Sequence, residues 1–204
     1  QIPLIEDAAQ SQGAMYGKIP SGALGDISVF SYDPMKNMPS FGTGGMVLTD
    51  SKDVYDTVVS LRRHGLNGKT SYGYNSLISE DHANQLLLIL SKFDKLQKMR
   101  KKVFERYKMN LEHTDFIETQ DNTRSSYHKL VMLTNRRDEL KTYLAQNGIE
   151  TKIHYTKTLD SNNIGQYPNA ESICAKALSL PIYPHLEMYE VDYVCERIRK
   201  FNGV

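Results

Sequence analysis

No apolar run in the 204 residues approaches the roughly 20 that a membrane-spanning helix needs, and no charged segment leads into an apolar one at the start. A membrane protein is therefore not expected, and the chain reads as cytoplasmic. Charge of one sign is also missing. The 25 Lys and Arg against 24 Asp and Glu leave a formal net charge of +1, too little to draw the chain to nucleic acid or to a membrane surface. Small molecules or protein are the expected partners. Cysteine is scarce: Cys174 and Cys195 fall in helical-looking segments without metal-type spacing, so buried free thiols are expected, and neither a metal site nor an oxidising compartment is. Repeats and low-complexity segments are absent. So is an initiating methionine: the chain opens Gln1-Ile2-Pro3-Leu4-Ile5-Glu6 and by Ile5 reads as lying inside a buried strand. A natural domain rarely starts mid-strand, so a longer protein that has lost its first part, by truncation, proteolysis or a split gene, is expected.

What is present is an ordinary globular composition, 40% hydrophobic and 24% charged, in a length that accommodates one large or two small cores. Leu4-Ile5, Ile27 to Tyr32 and Met46 to Thr49 read as short buried strands. Between them, Gly22-Ala23-Leu24-Gly25 and Gly42-Thr43-Gly44-Gly45 let the backbone turn tightly or approach a ligand. Asp50 or Ser51 caps a helix to about Arg63. Ser79 to His113 reads as one long helix with a stripe of Ala83, Leu86, Leu87, Leu90, Phe93 and Leu96, bridging two domains. The basic run on its other face, Lys92 to Lys102, is interleaved with acids and reads as a solvated face. The domains are expected at 1–95 and 96–204. In the second, Tyr127 to Thr134 and Ile149 to Tyr155 read as strands, Arg136 to Asn147 as a helix capped by Asn135 and stopped by Gly148, and Ala170 to Ser179 and Tyr189 to Phe201 as two more helices.

Two stretches carry chemistry. Glu6-Asp7-Ala8-Ala9-Gln10 sets a carboxylate and an amide just past a strand, the edge at which α/β sheets bind ligands. Such an Asp more often simply caps a turn. It also suits a pyridoxal phosphate (PLP) enzyme, which needs one carboxylate beside the pyridine nitrogen. In Phe30-Ser31-Tyr32-Asp33-Pro34-Met35-Lys36-Asn37 a lysine follows a rigid proline and precedes three glycines within ten residues. A lone loop lysine is usually solvated, but one desolvated beside a ligand becomes nucleophilic. Ser31 offers a hydroxyl suited to a phosphate oxygen.

These residues, with Gly25-Asp26, Gly44-Gly45, Leu61-Arg62-Arg63-His64-Gly65, Gly73-Tyr74-Asn75-Ser76, Gly148-Ile149-Glu150-Thr151, His154-Tyr155 and Leu178-Ser179-Leu180-Pro181, resemble in order and spacing the motifs of the DegT/StrS family of PLP-dependent sugar-nucleotide aminotransferases. The resemblance covers essentially the whole chain. It implies an α/β, type I PLP-transferase fold: the C-terminal part of the large doubly wound domain, then a small α+β domain, with the N-terminal part missing. It implies that Lys36 carries the cofactor, Asp7 partners the pyridine nitrogen, Gln10 lies near the phenolic oxygen and Ser31 binds the phosphate. Asn75 matches a residue that reaches the phosphate in the neighbouring subunit, so the implied assembly is a homodimer with shared active sites. His154 and Tyr155 sit where members contact the sugar nucleotide, whereas His64, which could touch a phosphate, reads more readily as a residue touching the carbonyls at a helix end.

The implied reaction is transamination of a nucleotide-linked keto-deoxy sugar, with glutamate as amino donor, giving an amino sugar for a polysaccharide, glycoprotein or natural product. Departures fall at Leu77, often Arg in the family, at Thr156, often Pro, and around Leu159-Asp160, often His; all lie where members contact the sugar nucleotide or shape its entry. The phosphate loop and stacking aromatic of the family's first part have no counterpart here. The alternatives are a fragment that works only with a separate N-terminal half, and a non-catalytic or regulatory member. A dehydratase of the family typically has histidine at the lysine position, and Lys36 argues against it.

Overall fold

The computed structural model describes residues 2–160, 162 and 164–203. The chain divides into two units, one of residues 1–95 with 119–128 and one of 96–118 with 129–204. The run Thr119–His128, expected in the second domain, thus belongs to the first unit.

The first unit is built on a three-stranded sheet. Strand β1 (Ile5–Asp7) has the short pair β2 (Met15–Tyr16) and β3 (Ile19–Pro20) after it, then β4 (Ile27–Ser31) and β5 (Gly45–Leu48). The sheet order is β1-β4-β5. β1 runs parallel to β4, Ile5 facing Ile27 and Asp7 facing Val29, and β4 pairs antiparallel with β5, Ser31 facing Gly45. Parallel neighbours need a long connection, and residues 8–26 supply it. That connection is held by Glu6, whose carboxylate accepts from Gly22 N and Leu24 N and from the hydroxyls of Ser21 and Ser28, all at 2.9–3.0 Å. Gly22 sits at φ +98, with the Phe30 ring where a Cβ would be, so glycine is required twice over.

Helix α1 (Lys52–Leu61) is capped by the Ser51 side chain, which accepts from Val54 N. The expected long helix is two, α2 (Glu80–Leu90) and α3 (Phe93–Asn110). They break at Ser91, whose hydroxyl donates to the Leu88 carbonyl and so competes with the helix's own hydrogen bonds. The expected stripe shifts accordingly. Leu86 is buried against Tyr32 and Met38, with the half-buried Ile89 and Phe93 packed beside it, while Leu87 and Leu90 are exposed. Leu4 and Ile5, expected inside a buried strand, are exposed as well.

The second unit, into which α3 continues, packs α4 (Arg137–Gln146), α5 (Pro168–Lys176) and α6 (Met188–Asn202) with an antiparallel pair, β7 (Leu130–Leu133) and β8 (Ala177–Leu180). Val103, Tyr107, Leu130, Leu140, Leu178, Val191 and Ile198 are fully buried in its core. The helix expected to run to Ser179 stops at Lys176, because Ala177–Leu180 pairs with β7. The expected strand from Ile149 reduces to one bridge, Lys152 with Ser179. Arg136, not Asn135, is the residue before α4, and Gly148 follows at φ +74, the left-handed stop. Cys195 is buried, and burial pushes its thiol up to about 11; Cys174 is only half-buried. Among the described residues no helix is long and apolar enough to cross a membrane, and no three His, Cys, Asp or Glu cluster as metal ligands would.

Candidate functional site

Asp7 is the last residue of β1 rather than a residue beyond it, and it faces Val29 on β4. Ser31 ends β4 two residues later, about 7 Å further at the rise of a strand. Both lie at the carboxyl edge of a parallel pair, where an α/β sheet leaves its crevice. Asp7 Oδ1 accepts from Ala9 N at 3.1 Å, the turn-capping bond foreseen as the plain alternative. Its exposed second oxygen has no partner among the described residues. Ser31 Oγ receives only a long bond from Asp33 N at 3.4 Å, which leaves its hydrogen to give.

Lys36 ends a tight turn that starts at Asp33, one residue beyond β4. Its N–H donates to the Asp33 carbonyl at 2.9 Å, Pro34 occupies the second position, and Asp33 Oδ1 accepts from Met35 N at 2.9 Å. Proline presets the angle such a turn needs, and aspartate at its first position caps it. The chain then closes back on the strand: Tyr32 N donates to Gly44 O, and Ser40 gives both its N–H and its hydroxyl to Tyr32 O. A Cβ on Gly45 would lie 2.9 Å from Phe30 O, so the return leg must be glycine. The Lys36 amine is half-buried and has no ion-pair partner among the described residues.

A third segment arrives from far along the chain. Strand β6 (Thr123–Arg124) pairs with β2, and Ser126 and His128 follow it. Ser126 Oγ donates to Gln10 O at 2.9 Å, and Ser126 O accepts from Asn37 Nδ2 at 2.6 Å. His128 Nε2 lies 3.2 Å from Met35 O, and since a carbonyl only accepts, that nitrogen donates. Tyr127 between them holds φ +51, a left-handed value uncommon outside glycine. The strand expected from Tyr127 begins only at Leu130, and nothing local in the sequence marks this segment as reaching the Lys36 turn. Only its pairing with β2 reveals it.

Asn75 stands on an exposed excursion after α1. Arg63 and Asn75 form an antiparallel bridge, His64 N donates to Tyr74 O and Tyr74 N to Leu61 O. Gly73 closes it: a Cβ there would lie 2.5 Å from Gly65 N and 2.6 Å from Leu61 O. His64 is exposed at φ +57 rather than seated on the end of α1. Asp7, Gln10, Ser31, Lys36 and Asn75 all belong to the first unit, and His154 and Tyr155 to the second. Burial, with Lys129 and Lys152 nearby, holds the half-buried His154 below the usual histidine range. Tyr155 is exposed, its ring 6.4 Å from that of His154.

This donor set fits the cofactor expected for it. A carboxylate and a hydroxyl with a hydrogen to give, on neighbouring strand ends, and an amine without an ion pair in the turn that follows suit a ring nitrogen, a phosphate and an aldehyde.

Comparison with known proteins agrees. A model of the DegT/DnrJ/EryC1/StrS aminotransferase family matches residues 1–199. A pleiotropic regulatory protein of Geobacillus stearothermophilus is 33% identical across 98% of this chain and 58% of its own length. The dTDP-3-amino-3,4,6-trideoxy-alpha-D-glucose transaminase of Streptomyces venezuelae is 32% identical across 98% of this chain and 56% of its own. The crystal structure of a DegT DnrJ EryC1 StrS aminotransferase from Brucella abortus superposes with a TM-score of 0.91 at 30% identity, covering 99% of this chain and 58% of that one. The chain thus spans under three fifths of the length of these relatives. It belongs to the DegT/DnrJ/EryC1/StrS aminotransferase family, whose members depend on PLP.

Proposed function

We propose that the protein containing this chain aminates a nucleotide-linked keto-deoxy sugar, taking the amino group from glutamate. The observation that carries the proposal is the meeting of Asp7, Ser31 and the Lys36 turn at the carboxyl edge of β1 and β4. The Streptomyces relative, named as a sugar-nucleotide transaminase, supports the substrate class. The Geobacillus relative bears a regulatory name, but retention of both Lys36 and Asp7 favours catalysis over a regulatory remnant.

Bound at this edge, PLP would supply an electron sink for the substrate's amine-bearing carbon. Lys36 Nζ would hold the cofactor and, once displaced, stay tethered within reach to move the proton at that carbon. The unpartnered oxygen of Asp7 would keep the ring nitrogen protonated, and the Ser31 hydroxyl would donate to the phosphate. Gln10 would lie against the ring near its phenolic oxygen. Asn75, exposed on its excursion, would reach the phosphate in a second copy, making the site a property of a homodimer. His154 and Tyr155 would face the sugar nucleotide, and the enzyme would work in the cytoplasm.

Activity would also require the part of the relatives that this chain does not span, either in one polypeptide or as a separate N-terminal half. The exposed apolar residues Ile2, Leu4, Ile5, Met46 and Val47 on or beside the sheet support this. The test is half-transamination of PLP by glutamate, followed as 2-oxoglutarate released, for the 204-residue chain alone and with the remaining part added. Activity only in the second case, followed by amination of a nucleotide keto sugar, is the expected result. No 2-oxoglutarate from the completed protein contradicts the proposal.

A further inference from the structure

Asn37 follows the proposed cofactor lysine and is 7% exposed, its amide turned to protein partners. Its Nδ2 donates to Ser126 O at 2.6 Å and more weakly to Gln12 O at 3.5 Å. Both partners are carbonyl oxygens, which only accept, so the orientation of the amide is fixed. The consequence is a buried Oδ1 with no donor among the described residues. A buried acceptor left unpaired is unfavourable and calls for an explanation. The donor side supplies it. Ser126 also gives its hydroxyl to Gln10 O, so one residue from a distant part of the chain holds two segments at once: the loop following Asp7 and the turn bearing Lys36.

His128 adds a second tie to that turn through Met35 O, and the left-handed Tyr127 lets residues on both sides of it face the turn. The Asn37 side chain thus reaches across to both Gln12, in the loop after Asp7, and Ser126. A lysine whose amine must meet one carbon with little tolerance gains from such a tether, because catalysis depends on fractions of an ångström in placement.

We propose that Asn37 is a positioning residue, whose amide, locked between Ser126 O and Gln12 O, sets where the Lys36 amine sits relative to Asp7 and Gln10. The inference rests on the reading of Lys36 as the cofactor lysine.

The test uses N37A and N37D in the full protein. The first readout needs no turnover: competitive acetylation of the cofactor-free protein, quantified at Lys36 by mass spectrometry against the exposed Lys18 and Lys152. N37A is expected to change the Lys36 rate relative to those controls by about threefold or more. The N37D side chain nearly matches the size of asparagine but can donate only when protonated, so its Lys36 rate should approach wild type as pH falls, and that of N37A should not. In the loaded enzyme kcat should fall by about tenfold or more with KM for glutamate little changed, as expected when placement and not binding is lost. If N37A does not fold, the pH-dependent recovery of N37D decides alone. A Lys36 rate equal to wild type in both variants, or N37D matching wild type at high pH, overturns the proposal even if melting temperatures drop. Retention of lysine-bound cofactor by K36A would instead bring down the underlying reading, so the two failures are distinguishable.

Discussion

Ser28 Oγ on β4 donates to Glu6 Oε2 on β1 at 2.9 Å, joining the strand that ends in Asp7 to the strand that ends in Ser31. Ser28 is 1% exposed, so the bond is sheltered. It fixes the relative height of the two strand ends that the proposed function assigns to one ligand.

Glu6 therefore contributes to stability in acid. Partial burial acts to raise its pKa, but the N–H groups of Gly22 and Leu24 and the hydroxyls of Ser28 and Ser21 together outweigh this and hold it below the usual value of 4.5. A carboxyl depressed in the folded state stabilises it fully above the unfolded value and loses that contribution as pH falls through the folded one. E6Q, which turns an NH2 toward donors, should cost about 1.5–3 kcal/mol at neutral pH and flatten the stability profile below about pH 4.5. Urea denaturation across pH checks both. An unchanged profile would show that Glu6 carries no such load.

D7N should still bind PLP but transaminate slower by about two orders of magnitude or more, each factor of ten being about 1.4 kcal/mol of transition-state stabilisation. An amide cannot keep the ring nitrogen protonated. Pre-steady-state absorbance with glutamate measures it, and a variant within twofold of wild type would exclude Asp7 from that role.

G73A should disturb Asn75 without touching Asp7 or Lys36. The added carbon meets backbone at 2.5 Å on Gly65 and 2.6 Å on Leu61, and backbone cannot swing aside, so about 1–3 kcal/mol of strain is expected. PLP affinity should fall in the assembled protein while the Lys36 modification rate stays at the wild-type level. Unchanged PLP affinity would argue against a role for Asn75 at the phosphate.

His154 should titrate below the ordinary histidine value of 6.5, because burial and then Lys129 and Lys152 disfavour its cation. The unfolded chain then binds this proton more readily, so the contribution of His154 to stability rises with pH through the window below 6.5. Its ring proton shift, followed by NMR against pH, should give a midpoint below that of free histidine. A midpoint above it would contradict the burial seen here.

How much of this was legible in the sequence depended on distance along the chain. β4, α1 and α6 are local patterns and appear within one or two residues of their expected bounds. Ala177–Leu180 fits a helix or a strand by its apolar pattern, and only pairing with Leu130–Leu133 decides it. The break at Ser91 hangs on one hydroxyl bond. Asp7, Ser31 and Lys36 can be picked from adjacent motifs, but Ser126 lies 89 residues from Asn37, and no local signal announces that it closes the Lys36 turn. Exposure of Leu4 and Ile5 likewise contradicts their apolar character, because burial depends on what packs against a strand and not on its own residues.

The most direct test of the account is chemical trapping of the lysine. The completed protein is mixed with PLP, reduced with borohydride, digested and mapped by mass spectrometry, with K36A alongside. The account predicts a reduced pyridoxyl mass on the peptide carrying Lys36 and none in K36A, whose far-ultraviolet circular dichroism stays that of wild type. A pyridoxyl mass on another lysine, or equal labelling in a folded K36A, would contradict it.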